Sequence, residues 1–176
     1  MIQLETLWAE DFEAVYRIME ESFPPEERRT KEGQKELLFE EKYELLGIKK
    51  EKELLAFLAV WHFTDFTFVE HFAVEQNARN GGLGAQILEA LLRREKKKVV
   101  LEVELPESDL EQRRIAFYER NGFCLNDYSY IQPPMTEYTH AIPLKIMSAP
   151  EKISEKEFRA IRSELYRYVY HYTYTE

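Results

Sequence analysis

The stretch Arg79-Asn80-Gly81-Gly82-Leu83-Gly84-Ala85 constrains this chain more than any other, because three of its six glycines fall within four positions there. It lies between a β-like apolar run, Glu70-His71-Phe72-Ala73-Val74, and an amphipathic pattern that starts at Leu83. The order is therefore strand, backbone-exposing turn and helix start. Unbonded N–H groups and the positive end of a helix dipole then meet at one point, which makes an anion site, most naturally for a phosphate group. Glycine at these positions removes the Cβ atoms that would hold a phosphate away from the backbone.

Around this turn, apolar periodicity assigns the other elements. Ile2 to Leu7 alternates apolar and polar residues as a half-buried strand does. Phe12, Val15, Tyr16, Met19 and Phe23 recur at helical spacing, and Pro24-Pro25 stops that helix. The charged segment Glu26 to Lys42, with Leu37, Leu38 and Phe39 as its apolar patch, reads as a second, weaker helix covering an edge of whatever lies beneath. Residues 43–50 and 53–63 are apolar runs joined by Glu51-Lys52, which signals an antiparallel hairpin, and 66–74 continues the meander. Leu83, Ile87, Leu88 and Leu91 form a helical stripe, and Arg93, Arg94, Lys96, Lys97 and Lys98 gather at its end, where cations suit the helix dipole. Val99 to Leu105 is the next strand, and the crossover helix before it predicts a parallel neighbour and hence a mixed sheet. Leu110 to Arg120 is helical and capped by Asn121-Gly122; residues 123–131 and 138–147 read as two closing strands.

Which phosphate the turn holds is narrowed by exclusion. A dinucleotide fingerprint needs a third glycine where Ile87 stands, and a nucleotide-triphosphate loop needs a Gly-Lys-Ser/Thr end that is missing here. A net charge of −9 argues against nucleic acid or an anionic membrane as partner, so an anionic ligand is held by local geometry. The lysines at 96–98 are read accordingly as a solvated helix end. With 176 residues and 44% hydrophobic content the chain can bury one substantial core. The single cysteine, Cys124, cannot form an intramolecular disulfide, no apolar leader follows Met1, and no run approaches the ~18 apolar residues of a membrane span. A soluble, cytoplasmic protein with no membrane partner is the expectation.

Arginine, two residues, glycine, one residue, glycine, as in Arg79-Asn80-Gly81-Gly82-Leu83-Gly84, resembles the pyrophosphate-binding loop of the GNAT superfamily of N-acetyltransferases. Val69 to Val74 looks like the strand that precedes this loop in the family, and Ile115-Ala116-Phe117-Tyr118-Glu119-Arg120-Asn121-Gly122-Phe123 looks like its second signature, a Phe-Tyr helix ending in Gly-Phe. The resemblance implies a GNAT acyl-CoA N-acyltransferase fold over residues 1–148, a mixed, mostly antiparallel α/β sheet flanked by helices, with 149–176 as a C-terminal helical, tyrosine-rich extension. It implies acetyl-CoA as cosubstrate. Arg79, Asn80, Gly81, Gly82, Leu83, Gly84 and Ala85 then surround the pyrophosphate, and the backbone of Phe72, Ala73 and Val74 pairs with the pantetheine arm. The strand near Phe72 supplies an N–H for the thioester carbonyl, often through a bulge. The activity implied is acetyl transfer to a primary amine of a small molecule or peptide by direct attack in a ternary complex. A CoA-binding regulatory module without turnover is the alternative.

Direct transfer requires a group that takes the ammonium proton, donors for the oxyanion, and an acid for the leaving thiolate. Tyr118 occupies the family's acid position; its competing reading is an aromatic packed beside Phe117. Glu70 is the candidate base, directly or through water, and a salt-bridged glutamate is the even alternative. His71 competes with it, and strand alternation sends the two to opposite faces. Glu102 and Glu104 share a strand face with no histidine or cysteine cluster beside them, so no metal is expected and one of them lines the amine pocket or meets a cation. Cys124 reads as a buried structural thiol. Aligning on Phe117-Tyr118 puts Glu111 and Arg114 where the family carries an asparagine and a small residue, which removes the usual asparagine contact; Arg113 or Arg114 reaching a phosphate is the alternative to two exposed helix arginines. In the extension, Ser154-Glu155-Lys156-Glu157 is a capping box that starts a helix, whereas tyrosine at every second position from Tyr166 to Tyr174 has a strand period. This segment is read as a helix of uncertain end that docks on its own domain or contacts a second subunit in a homodimer.

Overall fold

Two residues with positive φ, Glu51 (52°) and Lys52 (72°), make the two-residue turn whose twist matches that of flanking strands. They join β2 (Tyr43–Lys50) to β3 (Glu53–His62), an antiparallel pair running from Tyr43 opposite Trp61 to Lys50 opposite Glu53. The hairpin and its turn match the sequence expectation. The structure is a computed structural model that describes residues 2–172, and the backbone divides into two compact units, Met1–Val99 and Val100–Glu176.

In the N-terminal unit, β1 (Glu5–Thr6) pairs with β2, and β4 (Phe66–Val74) pairs with β3, giving the antiparallel order β1-β2-β3-β4. The regular part of β1 is shorter than the alternating run that announced it. α1 (Phe12–Ser22) buries Phe12, Val15, Tyr16, Ile18 and Met19, and its C-cap is Phe23, just before Pro24-Pro25. The expected second helix shrinks to α2 (Lys31–Glu36) between single 3₁₀ turns at Pro25–Glu27 and Leu37–Phe39. Its buried residue is Gln34, while Leu37 and Leu38 are half-buried and Phe39 is 91% exposed, so the apolar patch read at residues 37–39 packs only in part. A short helix that carries charge and a glycine has little intrinsic stability, and tertiary contacts choose its buried side. α3 (Leu83–Arg94) buries Ile87, Leu88, Ala90 and Leu91, as its stripe requires.

The C-terminal unit takes in β5 (Lys98–Glu104, from Val100 onward), α4 (Asp109–Arg120), β6 (Cys124–Gln132), β7 (Ile142–Ala149) and α5 (Glu155–Glu164). Its strand order is β5-β7-β6, with β6 and β7 antiparallel. Ser154 and Glu157 cap α5 reciprocally, through Glu157 N to Ser154 Oγ at 3.1 Å and Ser154 N to Glu157 Oε1 at 3.0 Å. Past Glu164 the chain winds into a π-helical turn, Leu165–Val169, that buries Leu165, Tyr166 and Val169. The strand period of the tyrosines is thus overridden at 166–169, because burying Leu165 and Val169 together needs a helical spacing. Tyr174, the last of the alternating tyrosines, lies outside the described residues. The extension docks on its own unit: Tyr128 stacks on Phe158 at 4.8 Å, and Asn126 Oδ1 accepts from Ile153 N at 2.9 Å.

Candidate active site

β4 carries a bulge. On β3, Ala59 pairs with His71 and the next residue, Val60, pairs with Val69, which leaves Glu70 as the extra residue. A bulge withdraws that residue from the ladder and re-aims its side chain. Glu70 and His71 accordingly do not fall on opposite sides, as unbroken alternation predicts; both reach the segment that follows α1. Glu70 Oε2 lies 2.8 Å from Arg29 Nη1, with the two side chains 2% and 11% exposed, and Glu70 Oε1 accepts a hydrogen bond from Trp61 Nε1 at 2.8 Å. The His71 ring meets the edge of Phe23 at 4.8 Å, and His71 Nε2 is 2.7 Å from the Glu27 carbonyl. A carbonyl oxygen only accepts, so Nε2 carries the proton. Desolvation holds His71 below its ordinary pKa, which keeps the imidazole neutral and makes Nδ1 an acceptor. That nitrogen is buried and has no hydrogen-bond partner among the described residues.

A second layer completes this cluster. Tyr43 meets Trp61 edge-on at 5.2 Å and accepts from Gln34 Nε2 at 2.5 Å, while Gln34 Oε1 is buried without a partner. Burial and the nearby Glu70 carboxylate push the Tyr43 phenol well above its usual range, so it stays protonated. Glu70 is thus a salt-bridged carboxylate inside a polar cluster, and accepting a proton from a ligand requires it to exchange its contact with Arg29. Gln34, Tyr43 and Trp61 have no role in the sequence reading, whereas Arg29 ends the Ser22 to Arg29 loop expected to wall the amine pocket. A tyrosine in a strand and a glutamine in a short helix carry no local signal; only the fold brings them to the bulge.

The glycine turn follows β4 directly. Arg79 Nε donates to the Val74 carbonyl at 2.9 Å and its Nη2 lies 3.4 Å from Ser22 Oγ, so this arginine caps the turn at the strand end. Asn80 and Gly82 have positive φ, 68° and 79°, and α3 starts at Gly82 without a side-chain cap. The first helical bond is Gln86 N to Gly82 O at 3.2 Å, so the N–H groups of Leu83, Gly84 and Ala85 have no acceptor within the helix. A Cβ at Gly81 or Gly82 would meet nothing within 4 Å. Bare backbone, open space and a helix start fit an anionic group such as a pyrophosphate.

The far end of α3 is tied down by charge. His62 Nε2 donates to Glu44 at 2.8 Å, and His62 Nδ1 lies 3.3 Å from Glu95; Arg94 grips Glu44 at 3.0 and 3.1 Å, and Thr67 donates to Glu95 at 2.5 Å. The hydrogen bonds to Glu44 and Glu95 raise His62 to about 9. Burial disfavours the Glu44 carboxylate, but the bonds from His62, Arg94 and Thr6 outweigh it and hold Glu44 at about 2.

Tyr118 lies in the C-terminal unit on α4, its ring edge-on to Phe117 at 5.4 Å and Phe123 at 5.7 Å. The residue as a whole is half-buried, yet its hydroxyl is desolvated and pushed up to about 12. Two turns earlier, half-buried Glu111 has a buried Oε2 without a hydrogen-bond partner. Arg114 pairs with Glu104 at 2.8 Å, which matches the cation expected beside one of the strand carboxylates. Glu102 instead accepts from Tyr130 at 2.5 Å and from Tyr170 at 2.6 and 2.8 Å, a contact invisible at a separation of 68 residues. Cys124, read as a buried structural thiol, is half-buried, with Sγ 3.9 Å from the Pro150 carbonyl. Among the described residues no group of three or more His, Cys, Asp or Glu is placed to hold a metal ion, and no helix is long and apolar enough to cross a membrane.

Comparison with known proteins adds to this picture. The profile of the acetyltransferase (GNAT) family matches residues 6–123. YjbC of Bacillus subtilis (strain 168) is 33% identical over 110 residues, an alignment that spans 61% of this chain and only about half, 55%, of that relative. A solved GNAT-family structure from Bacteroides thetaiotaomicron is 35% identical, covers 98% of this chain and 100% of its own, and superposes with a TM-score of 0.89. An aminoglycoside 6′-N-acetyltransferase complexed with coenzyme A shares the fold, at 13% identity, a TM-score of 0.61, and coverage of 88% of this chain and 100% of its own. The chain belongs to the GNAT family of acetyltransferases, a family of acyltransferase enzymes, and has its mixed, mostly antiparallel α/β fold.

Proposed function

We propose that this protein transfers an acetyl group from acetyl-CoA to a primary amine of a small molecule or peptide, by direct attack in a ternary complex. The observation that carries the reading is the bulge at Glu70 on the strand that runs straight into the glycine turn. That arrangement withdraws backbone from the ladder two residues before Phe72 and ends in bare N–H groups at a helix start. Bound acetyl-CoA supplies the electrophilic thioester carbonyl. Residues Arg79 to Ala85 hold the pyrophosphate through backbone N–H groups and the dipole of α3. Phe72, Ala73 and Val74 guide the pantetheine arm by main-chain bonds, and backbone freed by the bulge offers a donor to the developing oxyanion.

Tyr118 gives its proton to the departing thiolate; a phenol held at about 12 is protonated throughout the working pH range. Glu70 accepts the amine proton, directly or through water, once the substrate replaces Arg29 at its carboxylate. The Glu70–Arg29 pair also favours a second reading, a CoA-binding regulatory module in which Glu70 never exchanges partners. We assign the acetyltransferase domain to residues 1–148 and an extension to 149–176, in a cytoplasmic setting, with the extension as the contact if the protein dimerises. Two measurements test the reading. Acetyl-CoA is expected to raise the melting temperature, and a protein that it does not stabilise refutes the turn as its site. Free thiol release with some member of a panel of amines and peptides is expected; binding without release across the panel selects the regulatory module.

A further inference from the structure

The described residues contain few buried polar side-chain atoms without a hydrogen-bond partner, and those of the N-terminal unit converge on one place. Gln34 Oε1, Glu70 Oε2 and His71 Nδ1 all belong to the cluster around the bulge. Glu70 Oε2 retains its ion pair with Arg29, whereas Gln34 Oε1 and His71 Nδ1 have nothing. Tyr43, which holds Gln34, and His71 both lie near enough to Glu70 and Arg29 to feel their charges, so the orphaned atoms belong to side chains grouped about one ion pair. All are acceptors. His71 Nδ1 is unambiguous, because the Glu27 carbonyl fixes the proton on Nε2. A buried acceptor left unmade is costly, and its concentration at one point marks a place where a donor arrives with a ligand. The cover over the cluster suits such arrival, since residues 23–29 hold only one short 3₁₀ turn, Pro25–Glu27, and are half-buried or exposed.

Resting on the acetyl-transfer reading above, we propose that the acceptor is a donor-rich aliphatic amine, one whose ammonium is flanked by further N–H or O–H groups. The ammonium takes Arg29's place on Glu70, and the flanking donors bond to Gln34 Oε1 and His71 Nδ1. A peptide N-terminus is disfavoured here, because its neighbouring carbonyl brings a further acceptor to a wall of acceptors.

The test measures thiol release at saturating acetyl-CoA with four probes: a linear triamine, an amino alcohol, an alkyl monoamine of matched length and a short peptide with a free N-terminus. The triamine or amino alcohol is expected to exceed the monoamine and the peptide by about tenfold or more in kcat/KM, the effect of one or two neutral hydrogen bonds made rather than left unmade. Gln34→Leu is expected to shrink that preference about fivefold. Equal turnover of all four, or preference for the monoamine or the peptide, overturns the inference while leaving acetyl transfer intact. No thiol release from any of them overturns the acetyl-transfer reading itself. The wild-type comparison decides the matter even where Gln34→Leu fails to fold.

Discussion

His62 offers a quantitative test of the electrostatics that fasten α3, the helix whose other end begins at the glycine turn. Its pKa is raised from an ordinary 6.5 to about 9 by Glu44 and Glu95, so its charged form is favoured in the folded state. The resulting stability is fully present below about pH 6.5 and is lost as pH rises through about 9. A rise of that size is worth about 3.4 kcal/mol at 1.36 kcal/mol per decade. His62 is 31% exposed, and solvent and salt reduce the figure to about 1.5 kcal/mol. His62→Gln keeps a polar group of similar size but removes the charge. Chemical denaturation of both proteins at pH 6 and pH 10 is the assay, and their difference cancels every other group that titrates in the range. The gap is expected to be about 1.5 kcal/mol at pH 6, or about 3–6 °C in Tm for a chain of this length, and to close by pH 10. A gap that persists unchanged at pH 10 refutes the charge argument and assigns the effect to packing. No gap at pH 6 refutes any contribution from the pair.

Three further outcomes follow from the site. Gly81→Ala adds a Cβ that meets nothing within 4 Å, so stability is expected to change by less than about 0.5 kcal/mol while the melting shift caused by acetyl-CoA falls; Gly82→Ala, at φ 79°, is expected to cost about 1 kcal/mol of stability in addition. Trp61→Phe removes the indole bond to buried Glu70 and is expected to cost about 1.5–3 kcal/mol by urea denaturation; a cost below about 0.5 kcal/mol shows that water or Arg29 satisfies the carboxylate. Tyr118→Phe is expected to lower kcat by about 10²-fold with little change in KM for acetyl-CoA, and a matching rise in KM instead assigns Tyr118 to packing beside Phe117 and Phe123.

Much of this protein was legible locally. The hairpin around Glu51-Lys52, the extent of β4, the stripe of α3 and the Ser154–Glu157 cap are encoded in neighbouring residues, because period and cap chemistry act over a few positions. The two signatures, the glycine turn and the Phe-Tyr helix, carried the family for the same reason. Local signals misled where they were weak or divided. The charged residues 26–42 yielded one short helix between 3₁₀ turns; past Tyr166 the tyrosine alternation competed with a helix of open end, and burial of Leu165 and Val169 decided for a helical π turn.

The sequence by itself determined that a strand runs into a backbone-exposing turn, which needs only glycines and a change of period. It could not determine what surrounds Glu70. A bulge is a mismatch in count between two strands, here Ala59-Val60 against Val69-Glu70-His71, and it exists only once β3 and β4 are in register. That register turned Glu70 and His71 toward the same segment, gave Glu70 to Arg29 and Trp61, and left His71 Nδ1 and Gln34 Oε1 as buried acceptors. Contacts between residues tens of positions apart depend on how the whole core packs, and only the tertiary structure decides them.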